Sequence, residues 1–455
     1  MAYDFGHMSF DELLRRGGFP CACGKTHSAP IQYISIRRSA VDDLPAALRA
    51  IGCKKPFVVC DENTRLAAAN RAAEVLEAAG FAYTLYEIPT EGGDRIKPGE
   101  WELGSMTMHF DPSCDVVLAV GGGVINDLCK VLAHASGRPS AVLGTSPSMD
   151  GFASNSSSME INHVKMTLYN ASPAAILCDT EIMAKAPMRN LWAGFGDMIA
   201  KYISVCEWRI SAIVTGEYYC EAVADMMRAA LARIVAAAPR IPERDPDAIG
   251  AIAEGLVLAG MAMAFAEVSR PASGLEHYFS HVWEMLALER GLPYDLHGIQ
   301  VGVGTVLSLQ ILKRLASMQP GRAQAESAMR AFDSEKWAAE INRVFGKTAP
   351  EIFAIEEKAH KNDPARHAGR LEKILAHWNE IQAIIAEELP DENALFQIMR
   401  ALGMPMLPKD IGISEQDTID AFVHSRDIRD KYLTSSLLWD LGLTDEFASW
   451  LRGIL

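Results

Sequence analysis

Basic side chains are in the minority: 43 Lys and Arg stand against 58 Asp and Glu, a formal net charge of −15. Such a chain repels nucleic-acid phosphates and anionic lipid headgroups, so the expected partner is a small molecule or another protein, with no nucleic acid and no membrane insertion. Long apolar runs are scarce as well. The stretch 251–265 is broken by Glu254 and rich in Ala and Gly, short of the ~20 residues of a membrane span, and no transmembrane helix is expected. The opening Met1-Ala-Tyr-Asp-Phe lacks the basic-then-apolar pattern of a secretory signal, which points to the cytoplasm. Nine cysteines, an odd number scattered from Cys21 to Cys220, make a poor disulfide framework and read as reduced thiols.

One cysteine cluster stands apart. Cys21-Ala-Cys23-Gly-Lys-Thr-His27 puts three soft ligands in seven residues. A closed structural zinc site takes four, and no second cysteine pair follows at finger spacing, so a loop with free thiols is the simpler expectation.

With 455 residues and 49% apolar side chains, the chain has enough material for two domains. Up to about residue 188, short β-rich runs (56–60, 82–86, 115–120, 140–144) alternate with Ala-rich amphipathic segments (64–79, 125–136). Continuous apolar strands between helices indicate an α/β, Rossmann-like domain with a parallel sheet covered on both faces, here placed at 1–188. From 189 to 455 the β-branched runs fade and 3.6-residue periodicity takes over, predicting an all-α domain with segments at 216–238, 246–268, 275–287 and 299–316. A charged helical insertion is expected at about 317–389, broken at Lys361-Asn-Asp-Pro364.

Several stretches carry chemistry. Asp115-Val-Val-Leu-Ala-Val-Gly-Gly-Gly123 is an apolar strand running into glycines and a helix start, where amides and the helix dipole can receive a diphosphate; the spacing is not G-x-G-x-x-G, so a plain tight turn remains the other reading. Asp61 ends a strand where a doubly wound fold binds an adenosine ribose, and it also fits a helix N-cap. Thr145-Ser-Pro-Ser-Met-Asp150-Gly-Phe-Ala-Ser154 is a hydroxyl-rich loop at the carboxyl end of a strand. In the helical half, Gly194-Phe-Gly-Asp197 supplies a carboxylate, and His277 and His281 share a helix face at i and i+4. His297 opens another helix. One carboxylate with imidazoles is a ligand set that leaves positions open on a catalytic divalent metal.

The order Gly121-Gly-Gly…Asp127…Lys130, Thr145 to Ser154, Gly194-Phe-Gly-Asp197…Lys201, Ser273-Gly-Leu-Glu-His277…His281 and His297-Gly resembles the sn-glycerol-1-phosphate dehydrogenases. These share a superfamily with iron-containing alcohol dehydrogenases, glycerol dehydrogenase and 3-dehydroquinate synthase. The Cys21-Ala-Cys-Gly opening and the helical insertion around Trp337 look most like the longer bacterial, AraM-type form. The resemblance implies Asp197, His277 and His297 as metal ligands, with zinc the first choice and nickel or iron the others. His281 is implied as a residue that either supports the metal ligands or shuttles a proton, and Asp150 as a contact to substrate hydroxyls. It implies Gly121, Gly122, Gly123 and Asp127 at the diphosphate, Thr145 and Ser148 toward the nicotinamide, Asp61 at the ribose, and Ser154 as a further cofactor-binding residue. The implied cofactor is NAD(H), with NADP(H) as the alternative. The implied reaction is reversible reduction of dihydroxyacetone phosphate to sn-glycerol 1-phosphate by a homodimer, with Lys165, Lys201 and Arg270 available to the substrate phosphate. A glycerol dehydrogenase acting on unphosphorylated polyol, or a cyclase or lyase like 3-dehydroquinate synthase, is the rival. Gly144 stands where the family commonly has proline.

Overall fold

The computed structural model describes residues 3–90, 96–161 and 164–455. Its strands are β1 (Phe19–Pro20), β2 (Thr26–His27), β3 (Tyr33–Arg37), β4 (Pro56–Cys60), β5 (Thr84–Glu87), β6 (Val116–Gly121), β7 (Ser140–Gly144), β8 (Ser156–Ile161), β9 (Val164–Tyr169) and β10 (Ala175–Asp179). Six of them form one parallel sheet in the order β3-β10-β7-β6-β4-β5. Every residue of β4, β6, β7 and β10 is buried, which is why these strands read as unbroken apolar runs rather than as alternating ones. β1 with β2, and β8 with β9, are separate antiparallel pairs. The fold is thus a parallel α/β sheet followed by a helical region, as expected.

The chain divides into two compact units. One comprises residues 1–198 and 220–269, the other 199–219 and 270–455. This differs from a single boundary at 188. Helices Glu221–Ala237 and Pro246–Ala266, helical in pattern and so placed with the second half by periodicity, pack with the sheet unit: the first against the N-terminal Phe5–His7 turn, the second against β3, the Thr180–Met183 helix and the Asp150–Phe152 turn. Periodicity reports what an element is, not which core receives it.

Helix Pro246–Ala266 also corrects the reading of its apolar stretch. Its 21 residues have a mean hydropathy of 1.9 over the most apolar window, long and apolar enough to cross a membrane, because Glu254 interrupts the run of letters without lowering the average much. That window is 78% buried inside the protein, so its apolar surface is already satisfied by the core. Small residues permit the contact. A Cβ on Gly260 would stand 2.7 Å from Ala153 Cβ and 3.0 Å from the Asp150 carbonyl oxygen.

In the second unit, helices Lys201–Thr215, Leu275–Arg290 and His297–Ala316 pack together, and the insertion supplies Arg322–Ala331, Ser334–Phe345, Ala349–Ala359, Pro364–Ala376 and Trp378–Glu388. The break at 361–364 is where Asp363 caps the next helix, accepting from the Ala365 and Arg366 amides at 2.7 and 3.1 Å.

Candidate active site and metal ligands

In the sheet unit, β6 runs into the glycine turn, and Gly122 is the N-cap of helix Gly123–Ser136 without any side-chain cap bond. Its first-turn amides therefore lie at the carboxyl end of a central parallel strand, the arrangement that receives phosphate. Packing excludes side chains here too: a Cβ on Gly121 would meet Ile125 at 2.4 Å, and one on Gly123 would meet Met149 Cε at 2.7 Å. Asp127 lies one turn further along. Its Oδ2 accepts from the Ser158 amide at 3.0 Å and its Oδ1 pairs with Lys130 Nζ at 2.9 Å, so the carboxylate ties the helix to the β8–β9 hairpin. Asp61, at the end of β4, caps the following helix, accepting from the Thr64 amide at 2.7 Å while its own amide donates to Thr64 Oγ1 at 2.9 Å.

The loop after β7 is fixed from two sides. The Thr145 amide donates to the Gly121 carbonyl at 3.1 Å, which locks the start of the loop to the glycine turn. From beneath, buried Lys130 donates to the carbonyls of Gly151 (3.1 Å) and Ser156 and to Ser154 Oγ (3.4 Å). Ser154 Oγ in turn donates to the Gly151 carbonyl at 3.1 Å. Ser148 sits in the same loop, its amide donating to the Ser146 carbonyl at 3.1 Å. At Gly144 a Cβ would stand 2.8 Å from Met183 Cε and 3.3 Å from Phe152 Cζ, so a side chain there would have to displace the Met183 end group.

Asp197 belongs to helix Met188–Ile199 and is fully buried. Its Oδ2 accepts the Asp150 amide at 2.9 Å, bringing two of the expected site residues together. Gly194, on the same helix, permits this approach: a Cβ would stand only 1.8 Å from the Pro147 carbonyl oxygen.

In the helical unit, His277 and His281 lie on helix Leu275–Arg290, and His297 is the first residue of helix His297–Ala316. The ring of His297 lies 5.3 Å from that of His277 and 5.5 Å from that of His281. His277 Nδ1 is 2.8 Å from Glu276 Oε1, and His297 Nδ1 is 2.9 Å from Ser280 Oγ and 3.1 Å from Glu284 Oε1. With the proton held on Nδ1 by a carboxylate, Nε2 is the lone-pair nitrogen, the tautomer a metal-binding histidine needs. Ring donors of His281 and His297 and a carboxylate oxygen of Glu284 lie within 4.8 Å of one another.

Buried charge surrounds this cluster. Glu276 also accepts from the Gly274 amide at 2.7 Å, and Glu207 accepts from the Leu275 amide at 3.0 Å and from Thr434. Burial, and then the charge of Glu276, raises the Glu207 pKa. Burial and neighbouring Arg270 push the Lys431 pKa down to about 7. Of the three cations expected for a substrate phosphate, Arg270 is held by a two-point pair with Glu217 (2.6 and 2.8 Å) and by the Tyr432 carbonyl (2.7 Å). Lys201 is fully buried at the start of its helix. Lys165 lies on β9 of the separate hairpin.

A family model described as iron-containing alcohol dehydrogenase matches residues 35–187. The glycerol-1-phosphate dehydrogenase, NAD(P)+, of Bacillus licheniformis is 29% identical over 425 residues, covering 93% of this chain and 92% of that protein. The enzyme of the same name from Halalkalibacterium halodurans is 32% identical over 315 residues, covering 69% of this chain and 79% of that protein. This chain belongs to the glycerol-1-phosphate dehydrogenase family. Among solved structures, glycerol dehydrogenase from Schizosaccharomyces pombe superposes with a TM-score of 0.59 at 16% identity, covering 93% of this chain and 91% of that one. Maleylacetate reductase from Rhizobium sp. strain MTP-10005 gives 0.61 at 14% identity, with 93% and 98% covered. At such identities these two establish the fold of this chain and nothing further.

Three residues support the site without holding a ligand position themselves: Lys130, Glu276 and Glu284. Glu284 had a faint signal, seven residues after His277 and three after His281 on one helix face. Lys130 and Glu276 stand within the motifs around Gly121 and His277, and their burial shows that they position other groups.

Proposed function

We propose that this chain catalyses the reversible NAD(P)H-linked reduction of dihydroxyacetone phosphate to sn-glycerol 1-phosphate, with one divalent cation held by Asp197, His277 and His297. The observation that carries this reading is the pair of histidines whose Nδ1 atoms are each held by a buried carboxylate, Glu276 for His277 and Glu284 for His297. Two imidazoles and a carboxylate suit zinc, nickel or iron(II), and zinc is our first choice. When bound, the cation polarises the substrate carbonyl as a Lewis acid and the reduced nicotinamide supplies the hydride.

The protein's own residues do the rest. Glu276 and Glu284 keep Nε2 of the two histidines available as donors. Asp197, itself fixed by the Asp150 amide, brings the negative charge that a divalent cation prefers to a third imidazole. His281, stacked on His297 at an interplanar angle of 19°, carries the proton to and from the substrate oxygen. Asp150 receives the substrate hydroxyls. The Gly121–Gly123 turn and its open helix N-terminus take the dinucleotide diphosphate, with Asp127 bracing the turn. Thr145, Ser148 and Ser154 line the nicotinamide side, and Asp61 takes the ribose, favouring NAD(H) over the cofactor with an additional phosphate. Lys165, Lys201 or Arg270 meets the substrate phosphate. We place the enzyme in the cytoplasm as a homodimer.

The test pairs elemental analysis with NADH and NADPH oxidation on dihydroxyacetone phosphate and on dihydroxyacetone. Faster turnover of the phosphorylated ketone, with chiral analysis giving the sn-1 product, supports the proposal. Faster turnover of dihydroxyacetone rejects it.

A further inference from the structure

The Cys21–His27 cluster acquires a fourth member from far along the chain. Cys220, 193 residues beyond His27, lies with its Sγ 3.8 Å from Cys21 Sγ and 3.4 Å from His27 Nε2. Cys23 Sγ is also 3.4 Å from His27 Nε2. Sγ of Cys21, Cys23 and Cys220 and Nε2 of His27 all lie within 4.8 Å of one another. All four residues belong to the sheet unit.

We propose that Cys21, Cys23, His27 and Cys220 form a closed structural site for a tetrahedral divalent cation, zinc by class, separate from the catalytic cation. The spacing fits the ion. Zinc bonds of about 2.3 Å to sulfur and about 2.0 Å to nitrogen place tetrahedral neighbours about 3.8 Å apart for two sulfurs and about 3.5 Å apart for sulfur and nitrogen.

Three further observations point the same way. First, the local backbone is built for it. Cys21 and Cys23 lie in the turn between β1 and β2, where the Cys21 amide donates to the Lys25 carbonyl at 2.9 Å and the Gly24 amide to the Cys21 carbonyl at 3.1 Å. Gly24, at φ +90°, allows the turn that brings both sulfurs to one side. Second, His27 is fully buried and its Nδ1 lies 2.8 Å from the Phe265 carbonyl oxygen, near the end of helix Pro246–Ala266. An acceptor there fixes the proton on Nδ1 and makes Nε2, the atom facing the sulfurs, the lone-pair nitrogen. The ring is wedged between Phe5 and Phe265, with centroids 5.7 Å away on each side. Third, Cys220 is the N-cap of the seventeen-residue helix Glu221–Ala237, so its Sγ is presented from the end of a regular element rather than from a loose loop.

Binding converts the three thiols to thiolates and releases their protons to solvent, so occupancy rises with pH. The ion would join the N-terminal segment to the start of a helix nearly two hundred residues later. No residue of this set belongs to the dehydrogenase reading, and the two proposals can fail separately.

The experiment is cobalt substitution of the full-length protein, followed by absorption spectroscopy and metal analysis. We expect a sulfur-to-cobalt charge-transfer band in the near ultraviolet, with the intense visible bands of tetrahedral cobalt. The thiol-bound equivalent should be released by an organomercurial and retained in Asp197→Ala, which loses the other. Cys220→Ser should lose the charge-transfer band. Should that variant fail to fold, Cys220→His, which keeps a four-donor set, should fold and bind cobalt with a weaker band, and the wild-type spectrum alone still decides. Absence of the band in cobalt-loaded wild type overturns the proposal. So does an intact mass about 2 Da low that is restored by reductant, which would make Cys21 and Cys220 a redox pair instead.

Discussion

The backbone amide of Asp150 donates to Oδ2 of Asp197 at 2.9 Å, tying the loop after β7 to a helix nearly fifty residues downstream. A carboxylate proposed to hold a cation is thus also the anchor of the loop proposed to hold the substrate. The two duties can be separated by substitution. Asp197→Asn keeps an oxygen that accepts the Asp150 amide but lacks the charge, whereas Asp197→Ala loses both. Both variants should lose catalytic metal and activity, measured by elemental analysis and kcat/KM, but the alanine variant should in addition show a lower Tm.

Glu276→Gln and Glu284→Gln remove charge from the groups that hold His277 and His297 without removing volume. Carboxylates of this kind typically govern metal affinity by roughly 10- to 100-fold, and we expect losses of that size for each variant in competition with a chelator. Helical content by circular dichroism should stay unchanged.

Lys130 is 1% exposed and donates to two loop carbonyls and a hydroxyl. Lys130→Met leaves Asp127 and these acceptors without their cation, at a cost of about 3 kcal/mol. Calorimetry should show the loss of stability, and KM for the nicotinamide cofactor should rise because the Gly151–Ser156 segment loses its support.

Gly194→Ala places a methyl group where the Pro147 carbonyl oxygen stands. A backbone atom cannot rotate away as a side chain can, so the loop or the helix must shift, at about 1–3 kcal/mol or more. We expect reduced soluble yield and Tm, with activity falling further than stability because Asp150 and Asp197 move apart.

Lys361 gives a pH signature. Its Nζ donates to the carbonyls of Arg426 and Arg429, and burial pushes its pKa down from 10.5 to about 8. Below pH 8 both folded and unfolded states carry the proton and the folded state bears the full penalty of burying it. Between about 8 and 10.5 only the unfolded state still holds the proton, so stability rises with pH across that window and then levels off. The upper bound is roughly 3 kcal/mol. Denaturant midpoints of wild type and Lys361→Met, compared from pH 7 to 10.5, should show the rise in the first and its loss in the second.

The sheet was legible because its central strands are buried on both faces and their apolar runs are continuous, as in Val116 to Gly121. Edge strand β3 has a single buried residue, Ile34, and strand β8 opens with three serines, so neither stood out from loop. The histidines could be grouped from i, i+4 spacing, and the structure brings His297 to them from the next helix. The role of Glu276 and Glu284 behind them was only faintly legible from their spacing to the histidines, since a buried glutamate and an exposed one are the same letter. Cys220 was beyond reach for another reason: short-range spacing rules find ligands on one turn, and this one arrives through tertiary packing. Asp61 illustrates ambiguity rather than silence, as the same residue type suits a ribose and a helix cap: the structure shows Oδ1 in the cap, and the ribose role stands as a proposal beside it.

The sheet unit is discontinuous, closing only with residues 220–269 after an excursion into the other unit. On the ribosome, therefore, the first two hundred residues emerge without helices Glu221–Ala237 and Pro246–Ala266, and the β-rich layer waits with an uncovered flank until the later segment clears the exit tunnel. A fragment cut at the apparent border near residue 188 would keep that flank bare and should precipitate, so separate production of this half calls for a fused segment carrying 220–269.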